Sequence, residues 1–283
     1  MNIFNKEKGK NRLLKLYKVV SQKQAEAFET KRLIEFILFE VDKYPIKLDT
    51  FYVTGPYLNS GWKTKNGFLK GLKKKHYKNI HHLILADSEN KFYLSFSNFS
   101  HNRTIEVDSD SIDFNMMIDE NILSEKELVL FGERVYPYLN FEYGYIFKQS
   151  KRLSIDEGKI NNGLFGISES KSTKYNKWST YNSAINHGYL RNLYQFNFLS
   201  KLHIENEPLK SVIKSMGKLE DKAEYYLWTL SILELEKALG VLKTSEYLIE
   251  NVEFDKSHIC NHINNEIKKY APNVETKIKL EPS

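Results

Sequence analysis

The sequence predicts an α+β fold, built from a mixed or antiparallel sheet with flanking helices. Segments rich in strand-forming residues are joined by short polar links, and helical segments with start and stop signals lie between them. These elements do not alternate in the regular βαβ order of a doubly wound fold. With 283 residues, of which 41% are hydrophobic, the chain can bury a sizeable core as one large domain or two moderate ones.

The first half carries the clearest local signals. Apolar residues recur at helical spacing over residues 26–43, which predicts an amphipathic helix that Pro45 ends. Residues 51–54 predict a strand, and two strand-like runs around a polar link predict a β-hairpin over residues 82–96. Residues 104–108 alternate apolar and charged side chains, as a half-buried strand does.

A capping box predicts the start of the next helix. Ser124 and Glu127 stand three residues apart, so each side chain can bond to the other residue's backbone N–H. This helix is expected to end near Pro137, and a strand is expected over residues 143–147.

A polar segment over residues 148–162 is the best internal boundary, and it divides the chain into candidate parts 1–150 and 151–283. The elements predicted after it are a strand over 164–168, a helical or extended segment over 189–202, a short helix from Pro208 to Gly217, a strand over 225–230, a helix from Ser231 to Gly240 with a second capping box, and a helix over 258–270.

Cysteine usage and hydropathy predict a cytoplasmic protein without a membrane segment. Cys260 is the only cysteine, so no intrachain disulfide can form. The apolar residues over 13–20 are interrupted by Lys15 and Lys18, which makes a poor secretion signal. The most apolar run, over residues 33–41, is too short to span a bilayer.

Acidic residues are concentrated in one stretch. Residues 106–133 contain nine acids and one lysine, for a local charge of −8. Such a field can steer a basic partner, although charge runs also occur as solvated surface. The residues predicted to bind a protein partner, such as a basic toxin domain, are Asp119, Glu120, Glu125, Glu127 and Glu133.

Lysines are concentrated in a second stretch, residues 62–78, which glycines mark as a loop or a short broken helix. It has a local charge of +7, and Trp62, Phe68, His76 and Tyr77 interleave with its lysines. Cations beside stacking rings suit single-stranded nucleic acid or a phosphate surface. The alternative nucleic-acid-binding residues are Lys63, Lys65, Lys70, Lys73, Lys74, Lys75 and Lys78.

Enzymatic signals are sparse. His258 and His262 stand four apart around Cys260, but no acidic residue completes a zinc motif. The pattern E-x-K over Glu157 and Lys159 matches a metal-dependent nuclease, which is the second alternative, although it does not lie on a hydrophobic strand. The sequence therefore predicts no catalytic residue, metal site or cofactor.

One segment resembles a known group of proteins. Residues 188–199 contain Leu190-Arg191 followed by Tyr194, Asn197 and Leu199. A short helix from Pro208, a strand with Trp228 and a closing helix through Leu239 follow it. This order resembles uncharacterised bacterial α+β proteins of polymorphic-toxin and bacterial-conflict loci, although Gln195 stands where that pattern has proline. The resemblance implies a non-enzymatic immunity or conflict role. From the residues themselves, we expect Arg191 and Asn197 to satisfy backbone atoms in an aromatic run.

These observations favour a non-enzymatic binding protein of a bacterial conflict system, such as an immunity protein that neutralises a toxin. The first alternative is a nucleic-acid-binding component of a phage-defence (antiviral) system.

Overall fold

A ten-stranded sheet organises the chain. The computed structural model describes residues 9–20, 24, 27–55, 58–73, 77, 80–98, 110–151, 159–161, 167–169, 182–245 and 247–249. The strands are β1 Lys10–Val20, β2 Thr50–Gly55, β3 Leu58–Trp62, β4 His82–Ala86, β5 Phe92–Ser97, β6 Asp110–Asp119, β7 Tyr143–Ser150, β8 Lys159–Asn161, β9 Ile167–Glu169, β10 Phe196–Leu199, β11 Lys218–Asp221 and β12 Tyr226–Thr229.

The strand order is β11-β12-β10-β7-β1-β6-β5-β4-β2-β3, while β8 and β9 form a separate pair. All neighbouring strands pair antiparallel. The protein therefore has an α+β fold with an antiparallel sheet. Its first strand, β1, lies inside the sheet between β6 and β7.

Six α-helices and one 3-10 helix lie in the described part of the chain. They are α1 Thr30–Val41, α2 Lys65–Lys73, α3 Glu125–Leu139, the 3-10 helix Asn182–His187, α4 Lys201–Glu205, α5 Leu209–Ser215 and α6 Ile232–Val241.

One face of the sheet packs on α1 and α3 through an apolar core. The even-numbered residues of β6 between 112 and 118 point into it, as do Leu14 and Leu16 of β1. Phe131 of α3 lies against Phe114, with ring centroids 6.1 Å apart. Gly144 is required here, because a Cβ atom at this position would lie 2.5 Å from the Leu16 side chain.

The opposite face carries a second core that is rich in aromatic rings. Tyr17, Tyr143 and Tyr145 lie on neighbouring strands and pack with Tyr189 and Trp228. This core lies over the β1, β7, β10 and β12 side of the sheet, and each of these four strands contributes side chains to both cores.

Several predicted elements are confirmed. Residues 82–96 form the β4–β5 hairpin. Both capping boxes are present, at Ser124 with Glu127 and at Ser231 with Glu234. Helix α3 runs past the predicted end, since Pro137 lies in the last turn, where its missing N–H removes only one helical hydrogen bond.

Other elements differ from the predictions. β1, β3 and β6 were not predicted as strands, and the lysine stretch contains a regular helix, α2. The segment 189–202 contains both predicted alternatives, strand β10 and the start of α4. The predicted strand over 104–108, most of the strand over 164–168 and the helix over 258–270 lie outside the described residues.

The sheet continues across the predicted boundary between residues 150 and 151, because β7 pairs with β10. The division into parts 1–150 and 151–283 stays a prediction.

Candidate functional site

The acidic stretch begins in strand β6 and ends on helix α3. Asp119 is buried at the end of β6, where it forms an ion pair with Lys151 and accepts a 2.9 Å hydrogen bond from the Asn121 backbone N–H. Burial alone would raise the pKa of Asp119, but the Lys151 and Asn121 hydrogen bonds lower it. Glu120 accepts a hydrogen bond from the Lys10 backbone N–H at 2.9 Å.

The three acids of α3 also make contacts within the chain. Glu125 pairs with Lys148 at 3.1 Å, and Glu133 pairs with Lys222 at 2.8 Å. Glu127 accepts a 2.7 Å hydrogen bond from the Ser124 backbone N–H, which lowers the pKa of this exposed carboxyl group. Their charges are therefore held in place and partly neutralised, and binding of a basic partner by these acids stays a prediction.

Helices α1 and α3 form a layer that exposes large apolar side chains. Phe36 stacks on Tyr138 with ring centroids 4.4 Å apart, and Glu40 pairs with Arg134 at 3.0 Å, which joins the two helices side by side. On the outer side, Phe39 of α1 is 63% exposed and Leu130 of α3 is 49% exposed. We name the outward side of α1 and α3 around these two residues the helix-layer surface.

The lysine stretch is divided between strand β3, helix α2 and residues outside the described part. Lys63, Lys70 and Lys73 are exposed, while Lys65 forms an ion pair with Asp42. Lys74, Lys75 and Lys78 lie outside the described residues. Phe68 and Leu72 are fully buried and fix α2 to the sheet.

One face of the central strands carries polar side chains that were not predicted as a group from the sequence. Antiparallel register places them in two rows, which we name the polar rows. The first row runs Thr54, His82, Ser97, Asp113, Tyr17 and Tyr143, and the second runs Tyr52, Ile84, Ser95, Asn115, Lys15 and Tyr145.

A hydrogen-bonded chain of side chains crosses the polar rows. Arg191 Nη1 donates to the Tyr145 hydroxyl at 2.6 Å, and that hydroxyl lies 3.2 Å from the Tyr17 hydroxyl. A guanidinium can only donate, so the Tyr145 oxygen accepts from Arg191 and its proton is available to Tyr17. Lys15 and Arg191 are only 2% and 4% exposed, which is unusual for charged groups.

Asp113 is the acidic group of the polar rows. Burial raises its pKa to about 6, against the opposing effects of a hydrogen bond to Ser111 and the positive charge of Lys15. Two row positions away, His82 Nδ1 lies 2.7 Å from the hydroxyl of Ser97, the residue between His82 and Asp113 in the row. Asp113 can therefore hold or release a proton near neutral pH. Alternation of polar and apolar residues in β6 was the signal that could have revealed them.

The segment that carries the family resemblance has a structural role. The Asn197 amide accepts a 2.9 Å hydrogen bond from the Tyr194 backbone N–H and donates to the Tyr194 carbonyl at 2.5 Å. This confirms the expectation for Asn197. For Arg191 the structure gives the Tyr145 hydroxyl as one partner, and the expectation of a backbone partner stays a prediction.

A buried histidine lies beside this segment. His203 Nδ1 accepts a hydrogen bond from the Ser200 backbone N–H at 3.2 Å, and its Nε2 lies 3.3 Å from the Tyr189 carbonyl, so we assign the proton to Nε2. Burial lowers the pKa of His203 to about 3, which keeps this side chain neutral.

The remaining predicted chemistry falls mostly outside the described residues. This applies to Glu157, His258, Cys260 and His262, while Lys159 begins strand β8. Within the described ranges, no three His, Cys, Asp or Glu side chains come together as a possible metal site. None of the helices in those ranges has the length and hydropathy of a membrane span.

Comparison with known proteins gives a structural similarity but no family. No protein-family model matches the chain, and no curated protein matches it. A solved structure of a T6SS protein of Pseudomonas aeruginosa aligns over 95% of this chain and 90% of its own, with a TM-score of 0.46 and 7% sequence identity. A similarity at this level assigns neither a family nor a function to the chain.

Proposed function

We propose that this protein is a non-enzymatic binding protein of a bacterial conflict system, and specifically an immunity protein that neutralises a toxin domain by direct contact. The observation that carries the proposal is the helix-layer surface, where Phe39 and Leu130 expose large apolar side chains on two helices that are fixed to each other. Rigid, exposed apolar anchors with a charged rim are typical of protein-binding sites. The assignment to a conflict system depends on the sequence resemblance of residues 188–199.

The surface carries charges of both signs, since Lys43 Nζ lies 4.3 Å from the centroid of the Phe39 ring, and its acidic side suits a basic partner. Glu127 is exposed next to Leu130 on α3, and its lowered pKa keeps it ionised. Glu125 and Glu133 lie on the same helix but already have lysine partners at 3.1 and 2.8 Å. We therefore assign most of the binding energy to Phe39 and Leu130, and we assign to the acids a smaller, salt-dependent effect on association rate.

The test is a pull-down of the partner from a nuclease-treated lysate of the native host. It is made in parallel with three forms of the tagged protein. These are the wild type, a Phe39→Ser/Leu130→Ser variant, and an Ile232→Ser/Leu233→Ser control. Ile232 and Leu233 are 63% and 68% exposed on α6, a helix that packs on the aromatic-rich core, so the control also removes two exposed apolar side chains. We expect a stoichiometric protein with the wild type and the control, and loss of that protein with the double variant.

The immunity role is then tested with the captured protein itself. Its isolated domain is expressed in a heterologous bacterial host with each variant, and growth is measured. We expect the wild type and the control to restore growth and the double variant to fail. The proposal is wrong if the double variant captures the same protein, or if the captured protein does not impair growth.

The charge contribution is tested separately with Glu127→Gln, which keeps the capping box while removing the negative charge. We expect association with the captured partner to slow by a few-fold at low salt and to be unchanged at high salt. An equal effect at both salt concentrations would remove Glu127 from the binding surface.

A further inference from the structure

Helix α2 presents a basic surface that the proposed immunity role does not use. Asn66, Lys70 and Lys73 recur at four- and three-residue spacing, so they lie on one side of the helix, and all three are exposed. Lys63 is exposed just before the helix, within electrostatic range of Asp49. The helix itself contains no acidic residue.

The two lysines of the last turn are available to an external partner. In the part of the chain that the structure describes, neither Lys70 nor Lys73 has a carboxylate partner, whereas Lys65 on another side of the helix pairs with Asp42. Fully buried Phe68 and Leu72 hold the opposite side of α2 against the sheet, so the lysines project from a fixed support.

Two aromatic residues of this stretch, Phe68 and Trp62, pack against the rest of the protein. The Phe68 ring packs between Phe51 at 5.3 Å and Trp62 at 5.5 Å. The Trp62 ring lies so close to Gly71 that a Cβ atom there would be 2.4 Å from it. Phe68 is fully buried, and Trp62 is only partly exposed with Gly71 packed against its ring, so neither is an open platform for an unpaired base, which argues against the single-strand mode suggested by the sequence pattern.

We propose that Lys63, Lys70 and Lys73 of this surface bind the phosphate backbone of double-stranded nucleic acid without reading its sequence. Lysine acts as a point charge toward phosphate, and the described residues of this surface include no arginine that would read a guanine edge. Residues Asn66 to Lys73 extend about 10 Å along the helix, a length over which a duplex presents several phosphates. The net charge of +6 adds a favourable long-range field.

The test measures binding of the full-length protein to a short fluorescein-labelled DNA duplex of arbitrary sequence by fluorescence anisotropy, over a series of salt concentrations. We expect the logarithm of the affinity to fall linearly with the logarithm of salt concentration. Lys70→Gln/Lys73→Gln should reduce the slope by about 2 and lower the affinity roughly tenfold for each lost contact near 50 mM salt. Glutamine is a good helix former, so α2 is retained, and circular dichroism checks this.

The control is Lys214→Gln/Lys243→Gln, which removes the same charge from two exposed lysines in the C-terminal half. It should leave the slope within about half a unit of the wild-type value, because long-range charge contributes little at moderate salt. An equal loss in the control would overturn the proposal in favour of a net-charge effect. Tighter binding to the matching single strand, equal binding to poly-glutamate, or no binding to the duplex would each overturn it as well.

Discussion

The two sides of strand β1 differ in what they bury. Leu14 and Leu16 point to the core beneath α1 and α3, where they pack with other aliphatic and aromatic side chains. Lys15 and Tyr17, on the other side, belong to the polar rows and are nearly as buried. One strand therefore contributes to the fold in two ways: close apolar packing on one side and buried polar groups among aromatic rings on the other.

The two sides of the sheet should therefore respond differently to substitution and to pH. An apolar core responds to lost volume and not to protons. The polar side contains titratable groups, so its contribution to stability changes with pH, and loss of a hydrogen-bond partner from a buried polar group there is costly.

Phe131→Ala is expected to have the largest effect on stability. Phe131 is fully buried and contacts Phe36 and Phe114 in the apolar core. Its removal leaves a cavity and should lower the free energy of unfolding by about 3–5 kcal/mol, measured by urea denaturation at constant pH. The loss should be the same at pH 5 and pH 8. A clear pH dependence of the loss would contradict the separation of the two sides.

Tyr145→Phe tests the polar side at nearly constant volume. The substitution removes the oxygen that accepts the 2.6 Å hydrogen bond from Arg191, leaving a buried guanidinium short of a partner. We expect a loss of about 1.5–3 kcal/mol in the free energy of unfolding, again by urea denaturation. Tyr17→Phe is the matched control, because its described bond is between two neutral hydroxyl groups at 3.2 Å, and its loss should be smaller. Equal losses would show that the Arg191 contact adds no stability.

Asp113→Asn tests the pH response of the polar side. The pKa of Asp113 is about 6 in the folded protein, above its usual value of 3.8, so the folded state holds the additional proton between these values. Stability from this group is therefore lost as pH rises from about 4 to about 6. At pH 7 Asp113→Asn should raise the free energy of unfolding by about 1–2 kcal/mol and do so much less at pH 4.

The comparison must be made between the variant and the wild type at each pH, since His203 acts in the opposite direction. Its pKa of about 3 lies below the usual 6.5, so its contribution to stability is lost as pH falls below about 6.5. A gain from Asp113→Asn that is the same at pH 4 and pH 7 would contradict the raised pKa of Asp113.

The smallest change in stability is expected from Phe39→Ser/Leu130→Ser. Both side chains are about half exposed or more, so they contribute little to the core although they lie on the helices that cover it. The free energy of unfolding should change by less than about 1 kcal/mol in total. A loss comparable to that of Phe131→Ala would mean that these residues are structural, and would remove the observation that carries the proposed function.

The sequence predicts the elements whose signals are local. The β4–β5 hairpin and the two capping boxes depend on residues within a few positions of each other, and all three are confirmed. The same holds for Asn197, whose side chain bonds to Tyr194 three residues earlier.

Elements whose stability depends on distant partners were missed. The lysines of β1 interrupt its hydrophobic pattern, and only the tyrosines of β7 and Asp113 of β6 explain how Lys15 is buried. The acidic residues of β6 similarly kept its regular alternation of polar and apolar side chains from being recognised as a strand. The exposure of Phe39 could not be predicted from α1 alone, since helical periodicity does not state which apolar residues a neighbouring helix will cover.

The position of β1 inside the sheet has a consequence for the newly made chain. Strand β6 ends roughly 100 residues after β1, and β7 begins roughly 120 residues after it. At translation rates of about 5–20 residues per second, β1 therefore waits roughly 6–25 s before β7 is complete. During that time an unpaired strand of Leu and Val would be prone to pair with other chains. Lys10, Arg12, Lys15 and Lys18 place a positive charge at every second or third position of the strand. We therefore expect these basic residues, which made β1 hard to recognise from the sequence, to reduce aggregation of the strand until β6 and β7 have been synthesised.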